Sequence, residues 1–284
     1  MRNVRWVLSV LCLLSAGGAY ADPRPLRTGD ADLLPTGRVR VEFGAEFLQG
    51  QAYPLSGLRG DLTRLGVGSV QVGVGEYAEF GISGVVQDIL SITGRSEPVV
   101  RPAVTGNSTN DFGNLLLATK LKIFGESGPR PALSFRFGVE LPNANQENGL
   151  GTDQTQFYTG LLLKKSFGRV RVLADLGLAI LGSPVVAGKQ TDPLTYGVGA
   201  VVPLCRRVNF VAEVVGRRGP EGRIGNENLS QLRAGVQLRT GILRWDLAGI
   251  RGLGEFDPDS GLAVGATYEF QAFRKDPARV RIVR

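Results

Sequence analysis

Residues 228–250 read NLSQLRAGVQLRTGILRWDLAGI, with charges set inside an otherwise apolar stretch. Arg233 and Arg239 share a face with Gln231, Gly235 and Gln237, while Leu232, Ala234, Val236 and Leu238 occupy the positions between. After Thr240-Gly241 the alternation restarts, with Arg244 and Asp246 set against Leu243, Trp245 and Leu247. Charge repeated on one face of an extended chain supports two kinds of chemistry. Opposite charges can pair across a hydrated interior, or a basic wall can raise the local concentration of anionic solutes. The same face recurs along the chain in Arg40, Glu42, Glu79, Lys120, Lys122, Arg136, Glu140, Lys164, Arg171, Asp175, Glu213, Arg217 and Glu269. A basic wall would draw chiefly on Arg233, Arg239, Arg244, Lys120, Lys122 and Lys164.

Catalytic chemistry finds less support. The chain contains no histidine. A serine nucleophile usually needs a positioned imidazole to take its proton, so the common hydrolytic arrangements are missing, as are histidine-based metal sites. A Ser–Lys or paired-carboxylate mechanism stays open in principle, but no spacing points to one. The expectation is a protein that is not an enzyme and carries no cofactor. The stretch PNANQENGLGTDQ, 142–154, lacks the acidic density of a calcium loop and reads as a surface loop rich in turn residues. Basic residues are scattered singly, so nucleic acid is not an expected partner.

The elements that would carry these residues have period 2. Twelve blocks alternate: 38–47, 62–74, 77–90, 112–124, 132–141, 155–167, 169–181, 193–205, 208–217, the pair on either side of Thr240-Gly241, and 261–273. Very short links follow the second, sixth, eighth and tenth blocks, at 75–76, around Gly168, at 206–207 and at 240–241, and a modest one, 125–131, follows the fourth. Longer polar links alternate with them, at 49–61, 91–111, 142–154, 182–192 and 219–228, the last and shortest being 254–260. An even strand number with short turns at one rim and long loops at the other is the pattern of an all-β, antiparallel up-and-down transmembrane barrel. The apolar faces then meet lipid and the charged faces a lumen. Phe43, Phe47, Tyr77, Phe80, Phe157, Tyr196, Trp245, Tyr268 and Phe270 could form interfacial girdles. Twelve strands fall between barrels filled by side chains and those holding an aqueous channel, so the lumen should be narrow.

The ends have their own logic. Residues 1–21 carry Arg2 and Arg5, an apolar run from Trp6 to Leu14, and Ala19-Tyr20-Ala21, the layout of a cleaved secretory signal peptide. With it leaves Cys12, so the mature chain keeps Cys205 alone and no internal disulfide. Its formal charge of +7 falls by two as Arg2 and Arg5 depart. Residues 22–37, rich in proline and aspartate, lie beneath the barrel or fold into it. The barrel spans 38–273, a basic tail covers 274–284, and both termini are expected in the periplasm.

RPLRTGDADLLPTGRVRVEFG at 24–44 resembles the start of a bacterial outer-membrane family known as the MetA-pathway of phenol degradation family. FGNLLLATKLKIFGE at 112–126, ALSFRFGVELPNAN at 132–145 and GLGTDQTQFYTGLLLKKSFGRVRVLADLGLAILG at 149–182 share its style. Its members are described as transporters. The resemblance implies an outer-membrane barrel of a Gram-negative bacterium that passes small, hydrophobic or aromatic solutes. Its partners would be outer-membrane lipid and the membrane's assembly machinery. The alternative is a closed barrel with a structural or envelope-integrity role.

Overall fold

A computed structural model describes residues 24–219 and 224–273. The expected signal peptide, Cys12 within it, residues 22–23 and the basic tail lie outside the described residues. Fourteen strands follow in chain order: β1 (Arg38–Tyr53), β2 (Leu58–Val74), β3 (Ala78–Arg95), β4 (Ser108–Asp111), β5 (Leu115–Phe124), β6 (Ala132–Leu141), β7 (Gln156–Phe167), β8 (Val170–Gly182), β9 (Gln190–Thr191), β10 (Leu194–Pro203), β11 (Val208–Arg218), β12 (Leu229–Thr240), β13 (Leu243–Gly252) and β14 (Ser260–Gln271). All but the short β4 and β9 form the wall. Each wall strand pairs antiparallel with its neighbours in sequence, and β14 closes the ring on β1. The wall is thus a closed barrel of twelve strands, each paired on both sides, with no edge strand left open.

The distribution of burial shows which face is inside. On β8, Leu176 and Leu178 are 56% and 48% exposed, whereas Asp175 between its neighbours is 9% exposed. On β12 and β13, Leu232, Val236, Trp245 and Leu247 are exposed while Arg233, Gln237, Arg244 and Asp246 are buried. Charge inside and hydrocarbon outside inverts the rule for water-soluble proteins, which rarely expose contiguous apolar surface on this scale. It is the arrangement a bilayer-spanning wall requires.

The wall departs from the sequence expectation at the long-loop rim. The expected loop 49–61 is mostly strand, because β1 runs on to Tyr53 and β2 starts at Leu58, leaving a four-residue link. The expected loop 91–111 likewise contains the end of β3 and all of β4, and the loop 182–192 holds β9. The cause is a second apolar core inside the upper barrel, where Leu48, Leu58, Leu62, Leu90, Ile250 and Ala263 pack together. Burial there keeps the strands extended beyond the length that crosses lipid. Parity also slips. Gly66 takes φ +66°, open to glycine at little cost, and the β1–β2 register shifts between Glu42 and Ala45. Strict alternation from Glu79 would put Gln87 inside, yet beyond this bulge Gln87 is exposed, while Asp88 and Leu90 are buried.

The described ends meet at the short-turn rim, where the amides of Ala272 and Phe273 donate to the Gly37 carbonyl at 2.9 and 3.1 Å.

Candidate functional site

The segment 24–37 has no periodicity and forms no strand. It lies in the lumen, and Thr28, Asp30, Ala31 and Leu34 are each at most 3% exposed. Its contacts run round the wall. At one end Arg24 pairs with Asp246 on β13 at 3.3 Å and donates to the carbonyls of Val67 on β2 and Val264 on β14. Gln237 on β12 donates to the Arg24 carbonyl at 2.7 Å. Leu26 packs with Leu173, Val201 and Val211 of β8, β10 and β11. Arg27 reaches Glu46 on β1. Glu213 on β11 accepts from the Arg27 amide at 2.7 Å and from the amide and hydroxyl of Thr28 at 2.8 and 2.6 Å. Further along, Ser134 on β6 donates to the Ala31 carbonyl. Lys120 on β5 donates to the carbonyls of Asp30 and Asp32, and Lys164 on β7 pairs with the Asp32 carboxylate. The Leu34 amide donates to Glu79 on β3 at 2.7 Å before the chain leaves for β1. One short segment therefore touches every strand of the wall. Of the two positions the sequence allowed for it, beneath the barrel or within it, it takes the second.

Glycines make room for it. A Cβ on Gly197 would lie 2.7 Å from the Thr28 hydroxyl and 3.4 Å from its Cβ, so β10 carries no side chain where the segment passes closest.

Around this plug the inward charges are paired. Arg233 meets Glu46 at 2.8 Å, Arg244 meets Glu42 at 3.4 Å, Lys120 meets Glu79 at 3.0 Å, and Arg40 meets Glu269 at 2.8 Å. Arg136 meets Asp175 at 2.5 Å, and Arg171 meets Asp30 of the plug at 3.7 Å. Four of the six residues named for a basic wall, Arg233, Arg244, Lys120 and Lys164, thus have carboxylate partners. Of the remaining two, Lys122 is exposed near the end of β5 and Arg239 borders the β12–β13 turn. Several members of the network carried no sequence signal of their own. Arg64 pairs with Asp88 at 3.0 Å and with Glu46 at 3.5 Å. Asp30, Asp32, Arg24 and Arg27 belong to the segment expected beneath the barrel or folded into it, where the sequence singled out no site residue. The bulge that puts Asp88 inside is marked beforehand only by the glycines at 66 and 68.

Two spaces remain beside the plug. A cavity of about 120 Å³ is lined by Gly29, Gln71, Glu79, Ser83, Lys120 and Arg136. Above it, toward the long loops, a vestibule of about 280 Å³ has Glu140, Gln156, Tyr158 and Arg217 on its polar side and Tyr53, Leu55, Leu150, Leu229 and Phe256 on its apolar side. Glu140 accepts from Asn114 at 2.8 Å, Tyr158 donates to Gln156 at 2.7 Å, and Arg217 donates to the Glu227 carbonyl at 2.9 Å. The 142–154 loop folds inward to form part of this space, with the Gly149 carbonyl accepting from Ser56.

At the opposite rim, Glu126 in the β5–β6 turn accepts from the Ser166 amide at 2.8 Å, the Ser166 hydroxyl at 2.9 Å and Lys165 at 3.0 Å. The Ser166 amide, with help from Lys165 and the Ser166 hydroxyl, lowers its carboxyl from 4.5 to about 2 despite some desolvation.

Fold and interior together define a class: a closed, membrane-spanning antiparallel barrel occluded by its own N-terminal segment. Among solved structures, the chain is similar to an outer-membrane channel from Pseudomonas putida F1, with a TM-score of 0.60 and 14% identity, covering 86% of this chain and 100% of that one. It is also similar to the translocator domain of the autotransporter NalP from Neisseria meningitidis, with a TM-score of 0.51 and 14% identity, covering 84% of this chain and 91% of that one. No family model and no curated protein matches the sequence. At these identities the likeness is one of fold.

Proposed function

We propose that this chain is a bacterial outer-membrane channel for small amphipathic solutes, and that residues 24–37 gate it. The observation that carries the reading is the plug. The lumen is filled largely by one continuous segment held through hydrogen bonds and ion pairs, and a segment of that kind can leave without breaking the wall. The vestibule supplies the solute class. Its apolar side suits a ring or short hydrocarbon and its polar side one hydrogen-bonding head, the usual composition of a small-molecule site. The resemblance to the MetA-pathway family supports aromatic solutes, and the P. putida channel supports transport. In this reading the short-turn rim, where the described ends meet, faces the periplasm. The chain works by passage rather than catalysis, consistent with a sequence that lacks histidine.

One observation favours a permanently closed barrel instead: the plug contacts all the wall strands. A single experiment separates the two. Cysteines at Thr28 and Gly197, in a Cys205→Ser background, would have Cβ atoms about 3.4 Å apart, at the short edge of disulfide geometry. Oxidised T28C/G197C protein in liposomes should block uptake of an aromatic alcohol, and reduction should restore it. Uptake that ignores the redox state would remove the plug as gate. Silence in both states, and in protein lacking 24–34, would establish the closed barrel. Tyr158→Phe and Arg217→Gln should raise the half-saturating solute concentration several-fold, each removing one hydrogen-bonding group worth about 0.5–1.5 kcal/mol or more.

A further inference from the structure

The two rims differ in charge. At or beside the short turns stand Lys122, Arg130, Lys165, Arg169, Arg206 and Arg207. The carboxylates among the described residues there are Glu76 and Glu126, and Glu126 already accepts from Lys165. At the long-loop rim the two signs nearly balance: Asp61, Glu97, Glu147, Asp153, Asp192, Glu255 and Asp259 are exposed there beside Arg59, Arg95, Arg101, Lys189, Arg218 and Arg251.

The short turns also present apolar tips. Tyr77 is 68% exposed, Phe167 63%, Leu204 62%, Ile242 75% and Phe273 66%. Two of these tips sit beside cations in the chain: Phe167 is two residues from Arg169, and Leu204 two from Arg206. Arg130 lies 4.9 Å over the Phe124 ring, holding a guanidinium at the level of an aromatic group. An apolar tip with an adjacent cation, present at both the β7–β8 and the β10–β11 turn, matches one chemistry. The tip enters the acyl region and the cation meets a phosphate at the headgroup level.

We propose that the short-turn rim is a recognition surface for anionic phospholipid headgroups in the leaflet it borders. Phosphatidylglycerol offers both parts, a phosphodiester with net negative charge and acyl chains anchored beside it. Zwitterionic phosphatidylcholine offers the chains without the net charge. The opposite rim also exposes apolar groups, such as Val185, Val186 and Leu253, but its nearly balanced charges give an anionic headgroup no net attraction.

The test uses full-length protein in nanodiscs of equal phosphatidylglycerol and phosphatidylcholine. Lipid retained after mild detergent extraction is counted by native mass spectrometry. Wild type should retain phosphatidylglycerol over phosphatidylcholine by on the order of tenfold. The variant K122Q/R130Q/R169Q/R206Q should lose that preference, and R59Q/R95Q/R101Q/K189Q, which removes equal charge from the other rim, should keep it. Equal retention of both lipids by wild type would overturn the proposal. So would a preference that survives the short-turn variant, or one lost equally in both variants, which would report net charge alone. Added inorganic phosphate should not displace the lipid, and full displacement would identify a phosphate site instead. If the quadruple variant fails to fold, Arg169→Gln and Arg206→Gln are measured singly, each expected to reduce the preference several-fold, and no reduction in either overturns the surface.

Discussion

Glu213 and Glu46 show what single carboxylates do in this lumen. Glu213 accepts three donors from Arg27 and Thr28, so it terminates backbone groups of the plug that would otherwise be buried without acceptors. Glutamine in its place presents an amide N–H₂ toward N–H donors. Losing charge-assisted bonds worth roughly 1.5–3 kcal/mol should open the plug on the order of tenfold more often, read as faster tryptic cleavage after Arg27 in Glu213→Gln. Glu46 is shared by Arg27, Arg64 and Arg233. Glu46→Ala would leave three guanidinium groups facing one another, and removing one partner from a buried ionic cluster typically costs about 3–5 kcal/mol. Urea unfolding in micelles should show a loss of that size, and Arg233→Ala a smaller one, because Glu46 keeps two partners. Glu126 gives a pH signature. Its folded pKa of about 2 lies below the ordinary 4.5. Its contribution is therefore fully present above about pH 4.5 and is lost as pH falls toward 2. Glu126→Gln should flatten the acid limb of the unfolding curve in that window and leave neutral stability lower than wild type.

Among the elements, the wall was largely legible in the sequence and the plug was not. Each wall strand writes its own alternation locally, because one face meets lipid and the other a polar lumen. Leu232 through Leu238 and Leu243 through Leu247 face outward as their spacing predicts. Above the bilayer that rule lapses. Leu48, Leu58 and Leu62 face inward into the upper core, and there apolar spacing no longer distinguishes wall from loop. Residues 24–37 have no repeating face to read, since their partners lie as far away as Asp246 and Val264. The charged face of the wall was likewise legible, but not the pairing. Arg233 meets Glu46 from the far side of the chain, a partner that only barrel closure brings near. The break at Gly66 shows the same limit at smaller scale: β3 turns Glu79 inward before it and Asp88 beyond it, a change of parity that alternation read from either side alone misses.

For the whole molecule, inverted burial makes stability a property of the surroundings. Apolar side chains such as Leu176, Val198 and Trp245 have no protein partner on their outer side, so delipidated protein in water should associate nonspecifically, measurable by light scattering as detergent is diluted below micelle formation. Deleting 24–34 should leave the barrel folded, because the wall's ladder bonds do not pass through the plug, but lower its melting temperature by several degrees, as roughly 1 kcal/mol shifts a chain of this size by about 2–4 °C. The ring of plug contacts also has a consequence for biogenesis. Arg24, near the start of the described chain, is held by Asp246, Val264 and Gln237, which belong to the last three strands to be made. The earliest described residues can settle only after the latest have arrived. A truncated or misregistered barrel would leave those docking points missing and its leading segment dangling at the rim, open to proteases. The plug would then act as a seal of completeness, fastened once, by the strands that finish the ring.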